Sequence, residues 1–179
     1  ELEKEANAIR QSIIEMLVAA GSGHTAGPLG MADIFTLLYF HILRHDAKDP
    51  SWEDRDRLIL SNGHICPVLY ATLAHAGYLP KEELMTLRKF GSRLQGHPHR
   101  ESLPGLETTS GPLGSGLSQA VGMALAERIN NPYSNKYFYC LTGDGELNEG
   151  QIWEALMLGG KEQLHNLIVI VDRNGIQID

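Results

Sequence analysis

The sequence predicts an α/β protein in which a mainly parallel sheet is flanked by helices. Short apolar runs at 58–60, 137–142 and 167–172 have the length of strands, and longer segments of helical periodicity alternate with them. Strands that alternate with helices give parallel connections. The chain has 179 residues, 42% of them hydrophobic, which is typical of one globular domain with a sizeable core.

The helices are placed by apolar residues spaced three and four apart and by glycine or proline at the helix ends. The first runs from about residue 2 to residue 20 and stops at Gly21. Asn148 and Gln151 are spaced as a variant of the capping box and open the last helix. This last helix is predicted at about 148–159. The remaining helices are predicted at about 31–43, 65–76, 80–90 and 115–129.

Between the helices, the stretch 91–116 is rich in glycine and proline and is predicted to be a long loop, either functional or disordered. The run 167–172 is apolar up to its final Asp and is therefore expected to be a strand buried on both faces. Cys66 and Cys140 do not form a CxxC pair, so they are interpreted as reduced, buried thiols of a cytoplasmic protein.

The charge balance limits the partners. With 15 Lys and Arg against 22 Asp and Glu, the formal charge is −7, which argues against a nucleic-acid partner. No apolar run has the length of a membrane span, so no membrane partner is expected. A polyphosphate ligand would have to be held by a metal ion or by backbone N–H groups.

Two strand ends carry polar residues suited to a metal. Gly143-Asp144-Gly145 follows one predicted strand, and Asp172-Arg173-Asn174 closes the next. Because neighbouring parallel strands end side by side, Asp144 and Asn174 can reach one cation, with a backbone carbonyl as a third ligand. Mg²⁺ prefers such oxygen ligands and takes the remainder from phosphates and water. The spacing thus predicts a metal–diphosphate site.

Three histidines, His24, His64 and His97, lie in glycine-rich loops rather than on apolar helix faces. An imidazole can hydrogen-bond a sugar hydroxyl and transfer a proton near neutral pH. The three are therefore candidate catalytic residues.

The metal motif resembles that of thiamine-diphosphate enzymes, and further segments resemble the transketolase family in the family's order. The chain is similar to the first, diphosphate-binding domain of transketolases over essentially all of its length. The segments that support this resemblance are Ser22-Gly23-His24, Gly30-Met31-Ala32, Asp56-Arg57, Ser61-Asn62-Gly63-His64, Gly96-His97-Pro98, Gly111-Pro112-Leu113-Gly114, Val121-Gly122-Met123-Ala124 and Gly143-Asp144-Gly145 with Asn174.

The resemblance implies a thiamine-diphosphate-binding fold and roles for the matched residues. The metal, Mg²⁺ with Ca²⁺ or Mn²⁺ as substitutes, would be bound by Asp144, Asn174 and the Ile176 carbonyl. The diphosphate would contact Gly145, and His24, His64 and His97 would face the reacting carbon and the sugar hydroxyls. The other cofactor-binding positions would be His64, Gly111, Pro112, Leu113, Glu149, Asn174 and Ile178.

The resemblance also implies that the domain 1–179 is incomplete at its C-terminal end. In the family, a Glu that protonates the aminopyrimidine belongs to a second, pyrimidine-binding domain that acts across a dimer interface. We therefore expect a transketolase component of the pentose phosphate pathway, which transfers a two-carbon ketol unit from a ketose phosphate to an aldose phosphate. The partner would be that second domain or a separate subunit, in a homo- or hetero-oligomer with the active site at the interface.

Two alternatives remain open from the sequence. One is an enzyme like 1-deoxyxylulose-phosphate synthase, which shares the metal motif, although Ser61-Asn62-Gly63-His64 and Gly96-His97-Pro98 favour transketolase. The other is a non-catalytic subunit that keeps the fold. Retention of Asp144, Asn174 and the three histidines argues against it.

Overall fold

A computed structural model describes residues 1–175, and its internal contacts divide the chain into two compact units. The first unit comprises residues 1–53 and 64–109, and the second comprises 54–63 and the chain from 110 onward. The chain thus leaves the first unit, returns to it, and leaves it again. The single-domain organisation expected from the sequence stays a prediction.

The first unit is helical. It contains α1 (Leu2–Ala20), α2 (Ala26–Gly30), α3 (Ala32–Leu37) and α4 (Cys66–His75). The apolar face of α1 is fully buried at Ile9, Ile13 and Met16 and packs on α3 and α4. Gly21 ends α1 in the left-handed conformation at φ 64°, and its N–H bonds the carbonyls of Leu17 and Val18. The predicted first helix and its glycine stop are confirmed.

Two predicted helices of this unit are wrong in detail. The segment predicted at 31–43 divides into α3 and a π-helix, Leu38–Ile42, and the preceding α2 was not predicted. The segment predicted at 80–90 is a short 3-10 helix, Lys81–Thr86, because the backbone becomes extended at Leu87 and left-handed at Arg88, with φ 60°. The predicted loop is confirmed, since no helix or strand is described between residue 87 and Ser115.

The second unit contains the sheet. Strands β1 (Arg57–Leu60), β2 (Phe138–Gly143) and β3 (Leu167–Asp172) are parallel and lie in the order β1-β2-β3. In the register, Ile59 lies beside Cys140 and Cys140 beside Val169. The predicted parallel sheet and its three strands are confirmed to within a residue or two.

The expectation that the last strand is buried on both faces is wrong. Ile168 is 37% exposed and Val171 is 41% exposed. β3 pairs only with β2 and lies at one edge of the described sheet. Edge position alone does not explain the exposure, because β1 at the other edge is buried from Leu58 to Leu60. An all-apolar strand sequence does not show which of its faces will be covered by neighbours.

Helix α5 (Ser115–Asn130) packs against all three strands, and α6 (Gly150–Lys161) packs on α5. The predicted capping box at Asn148 is wrong. A 3-10 helix, Asp144–Asn148, precedes α6, and the Gln151 side chain donates instead to the Leu113 carbonyl at 2.9 Å. The core of this unit is formed by Ile59, Leu117, Ala120, Val121, Ala124, Phe138, Cys140, Ile152, Ala155 and Leu164.

Both cysteines are buried free thiols, as predicted. Burial raises the pKa of Cys66 to about 12, and burial also raises the pKa of Cys140. Both thiols therefore stay protonated near neutral pH. Within the part of the chain that the structure describes, no helix is long and apolar enough to cross a membrane.

Candidate functional site

The predicted metal-binding residues lie at the carboxyl edge of β2 and β3. The register pairs Gly143 with Asp172, so both strands end at the same level of the sheet. Asp144 follows β2 directly, and the segment 173–175 follows β3. This segment turns back towards Asp144, because the Gly175 N–H donates to Asp144 Oδ2 at 2.9 Å. The structure thus brings Asp144 and the loop of Asn174 together, as the spacing predicts.

The electrostatics of this edge suit a cation. Burial raises the pKa of Asp172, the Asn174 side chain opposes the rise by hydrogen bonding, and the negative charge of Asp144 adds to it. Asp172 was given no separate role by sequence reasoning. Two nearby carboxylates and an amide oxygen form a hard-oxygen donor set, which fits Mg²⁺ and Ca²⁺. Ile176 and Ile178, assigned from the resemblance, lie outside the described residues.

Two buried polar atoms beside the same turn lack partners. Asn62 Oδ1 and Thr142 Oγ1 have no hydrogen-bond partner among the described residues. A Cβ placed on Gly143 would lie 3.9 Å from the Asn62 side chain, so Asn62 is next to the turn that follows β2. Unsatisfied buried polar atoms are costly, and a polar ligand or water bound at the turn would satisfy them.

The other cofactor positions predicted in this unit surround the start of α5. Pro112 and Leu113 are exposed, and Gly111 is half-buried, in the loop before that helix. Ser115 Oγ donates to the Pro112 carbonyl at 2.8 Å. Glu149 is the exposed residue just before α6. Their roles towards a cofactor stay predictions.

Gly145 lies in the 3-10 helix after β2. Neither Gly143 nor Gly145 is among the described residues of positive φ, so an ordinary backbone conformation makes the turn.

Glu146 is the residue of this region that sequence reasoning missed. It is only 1% exposed, and its carboxylate accepts three hydrogen bonds. Oε1 accepts from Ser61 Oγ at 2.7 Å and from the Gly114 N–H at 2.6 Å, and Oε2 accepts from the Gly143 N–H at 2.9 Å. The only sequence signal was an acidic residue directly after Gly143-Asp144-Gly145, in a place where exposure is the usual expectation.

The three candidate histidines lie together in the first unit. The ring centroids of His24 and His64 are 5.0 Å apart. Burial lowers the pKa of His64, and the charges of His24 and His97 lower it further. Burial also lowers the pKa of His97, with smaller contributions from His24 and Arg88. His64 and His97 are therefore largely neutral at pH 7, the form that can accept a proton or a hydrogen bond.

Arg88 was also missed by sequence reasoning. It lies beside the histidines in a backbone conformation that non-glycine residues rarely adopt, with φ 60°. A Cβ on Gly96 would be 3.3 Å from Arg88 Nε, so the guanidinium packs closely against the backbone at Gly96. Arg88, His24 and His64 line one small cleft with Gly23, Cys66, Pro67, Leu87 and Gly96.

Comparison with known proteins decides the family. The model of the transketolase, thiamine diphosphate binding domain family matches residues 2–179. The chain belongs to this family. It is 48% identical over 183 residues to a transketolase of Buchnera aphidicola subsp. Acyrthosiphon pisum, covering 97% of this chain and 28% of that protein. The resemblance recognised in the sequence is confirmed.

Two further relatives bear on the fold and on assembly. The structure of a transketolase from Leishmania mexicana superposes with a TM-score of 0.94 at 43% identity, over 100% of this chain and 28% of that one. The 6-deoxy-6-sulfo-D-fructose transketolase subunit SqwG of Clostridium sp. (strain MSTE9) is 43% identical over 179 residues, which is 100% of this chain and 64% of that subunit. The chain thus spans less than two thirds of these relatives. Their transketolase names do not favour the synthase alternative.

Proposed function

We propose that this chain is the diphosphate-binding component of a transketolase that transfers a two-carbon ketol unit from a ketose phosphate to an aldose phosphate. The observation that supports it most directly is the meeting of Asp144 with the Asn174 loop at the carboxyl edge of two parallel strands. In a chain of this family, that edge is where a metal-bound diphosphate is expected. The enzyme would work in the cytoplasm.

Under this proposal, the second unit binds the cofactor. Asp144 and Asn174 would hold Mg²⁺ through oxygen atoms, and the backbone at Gly145 would contact the diphosphate. Gly111, Pro112 and Leu113 would contact the aminopyrimidine. When bound, thiamine diphosphate supplies the nucleophilic carbon chemistry. The metal ion would supply the counter-charge to the diphosphate, because a chain of formal charge −7 has no surplus of positive side chains.

The histidines act on the substrate. Because the pKa values of His64 and His97 are lowered, their neutral imidazoles can accept protons from sugar hydroxyls near pH 7. His24 completes the cluster, with its ring next to that of His64. Their hydrogen bonds orient the ketose and stabilise charge that develops on its hydroxyl oxygens.

The active enzyme needs a pyrimidine-binding partner, as a second domain or a second subunit, with the site completed at an oligomer interface. The exposed apolar side chains on α6, Trp153 at 54% and Met157 at 74%, offer surface for such a partner. The small residues Ala120 and Ala124 of α5 do not contribute to a partner surface, because they are buried in the core of the second unit. Similarity to a named subunit over the full length of this chain supports the split arrangement.

The metal assignment is tested by titrating the full enzyme with thiamine diphosphate and Mg²⁺. Asp144→Ala should abolish Mg²⁺-dependent binding, because it removes the charged ligand. Glu82→Ala, which removes an exposed carboxylate from the first unit, is the matched control and should bind as the wild type does. Unchanged affinity in the Asp144 variant would overturn the site.

A further inference from the structure

We propose that Glu146 is a positioning residue that holds the loop 110–114 in its cofactor-binding conformation before the cofactor arrives. The part of this inference that concerns the cofactor rests on the proposed function. The part that concerns the loop rests only on contacts within the second unit.

The hydrogen bonds of Glu146 connect distant parts of the chain. The Glu146 carboxylate joins three segments that are far apart in sequence, through Ser61 after β1, Gly114 before α5 and Gly143 at the end of β2. Two of the three donors are backbone N–H groups, so the carboxylate fixes the course of the main chain itself. Hydrogen bonds to a charged acceptor are about twice as strong as neutral ones.

The loop after β1 and the start of α5 lie very close together. A Cβ on Gly116 would lie 2.5 Å from Ser61 Cα, and a Cβ on Gly63 would lie 2.6 Å from Ser110 Cβ. Ser110 Oγ also donates to the Leu60 carbonyl. The loop after β1 and the start of α5 therefore meet at backbone distance, and Glu146 is the buried acceptor that satisfies their donors.

The carboxylate of Glu146 matches the hydrogen-bonding character of its partners. All three partners are donors, and a carboxylate offers acceptors only. A glutamine would keep one acceptor oxygen and would present N–H groups to a backbone N–H. Burying a carboxylate is unfavourable unless it is hydrogen-bonded, and here both oxygens are. The site is thus built for Glu rather than for a neutral side chain of the same size.

The consequence is a cofactor loop that is ordered in advance. Gly114 follows Gly111, Pro112 and Leu113 directly, and Gly143 precedes Asp144, so one carboxylate ties the predicted aminopyrimidine loop to the predicted metal turn. A loop held in its bound conformation loses less entropy on binding, which improves affinity without a new contact to the ligand.

The test compares Glu146→Gln with wild type in the cofactor-free full enzyme by hydrogen exchange with mass spectrometry. A glutamine leaves one acceptor oxygen for the Gly114 and Gly143 N–H groups, so we expect the peptides covering 110–116 and 140–146 to exchange about tenfold faster or more. Glu82→Gln, which removes an exposed carboxylate from the first unit, should leave these peptides unchanged. Peptides of α1 should exchange equally in all variants, since a merely structural role would instead accelerate exchange throughout.

The second arm measures the affinity for thiamine diphosphate in the presence of Mg²⁺. Glu146→Gln should weaken it about tenfold and leave kcat at saturating cofactor unchanged. If Glu146→Gln does not fold, Ser61→Ala, which removes one of the three donors, should give a smaller change in the same direction. Unchanged exchange and unchanged affinity would overturn the inference. If Glu146→Gln speeds exchange in the loop 110–114 but the wild type binds no thiamine diphosphate, the positioning role of Glu146 would be supported and the proposed function overturned.

Discussion

Replacing Gly116 by Ala is the sharpest test of how the second unit is packed. The new Cβ would lie 2.5 Å from Ser61 Cα, 2.6 Å from its Cβ and 2.7 Å from its Oγ. Ser61 cannot yield easily, because its N–H donates to the Leu141 carbonyl at 2.8 Å and its hydroxyl donates to Glu146. The clash is therefore with a fixed backbone atom rather than with a flexible side-chain end.

Two opposing effects set the change in the free energy of unfolding. Overpacking of this kind costs about 3 kcal/mol at the upper end of its usual range. The better helix propensity of Ala returns at most about 1 kcal/mol. We therefore expect Gly116→Ala to lower the free energy of unfolding by about 2 kcal/mol.

Gly122, in the same helix, provides the matched control. Nothing lies within 4 Å of a Cβ built there. Gly122→Ala should therefore raise the free energy of unfolding by about 0.5–1 kcal/mol. Both variants are compared with wild type by chemical denaturation followed by circular dichroism. A Gly116→Ala variant as stable as wild type would refute the close approach of α5 to the loop after β1.

Two further predictions concern the histidines. His24→Ala, His64→Ala and His97→Ala should fold normally and each lower ketol transfer by about 10²-fold or more in steady-state assays of the full enzyme; near-wild-type turnover in all three would contradict their catalytic role. Because the pKa values of His64 and His97 are lowered by folding, the unfolded chain binds more protons below pH 6.5, so stability should fall as the pH drops from 7.5 to 5.5. Urea unfolding at both pH values should show a smaller loss of stability in His64→Asn than in wild type. An equal loss of stability would contradict the lowered pKa of His64.

Much of the fold followed from patterns that are local in sequence. The spacing of Ile9 and Ile13 predicts α1, and Gly21 ends that helix because a left-handed residue is needed there. The parallel strands followed from apolar runs that alternate with helices, and the carboxyl ends of β2 and β3 then brought Asp144 near the Asn174 loop.

The remainder depends on tertiary contacts that no short pattern encodes. The exposure of β3 depends on which neighbours cover its faces, since β1, at the other edge of the described sheet, is buried. Glu146 appears in the sequence as an ordinary acidic residue, and only its contacts with Ser61 and Gly114 explain its burial. Arg88 reaches the histidines through a left-handed conformation that is rare outside glycine. Each of these features depends either on contacts between residues that are distant in sequence or on a backbone angle that packing determines.

Under the proposed function, this chain is one component of a transketolase and needs a pyrimidine-binding partner. The most direct measurement is a steady-state ketol-transfer assay with a ketose phosphate donor and an aldose phosphate acceptor, in the presence of thiamine diphosphate and Mg²⁺. We expect the chain alone to show no turnover and the chain mixed with the partner domain to show turnover that depends on both. Robust turnover by the chain alone, or none after the partner is added, would contradict the account.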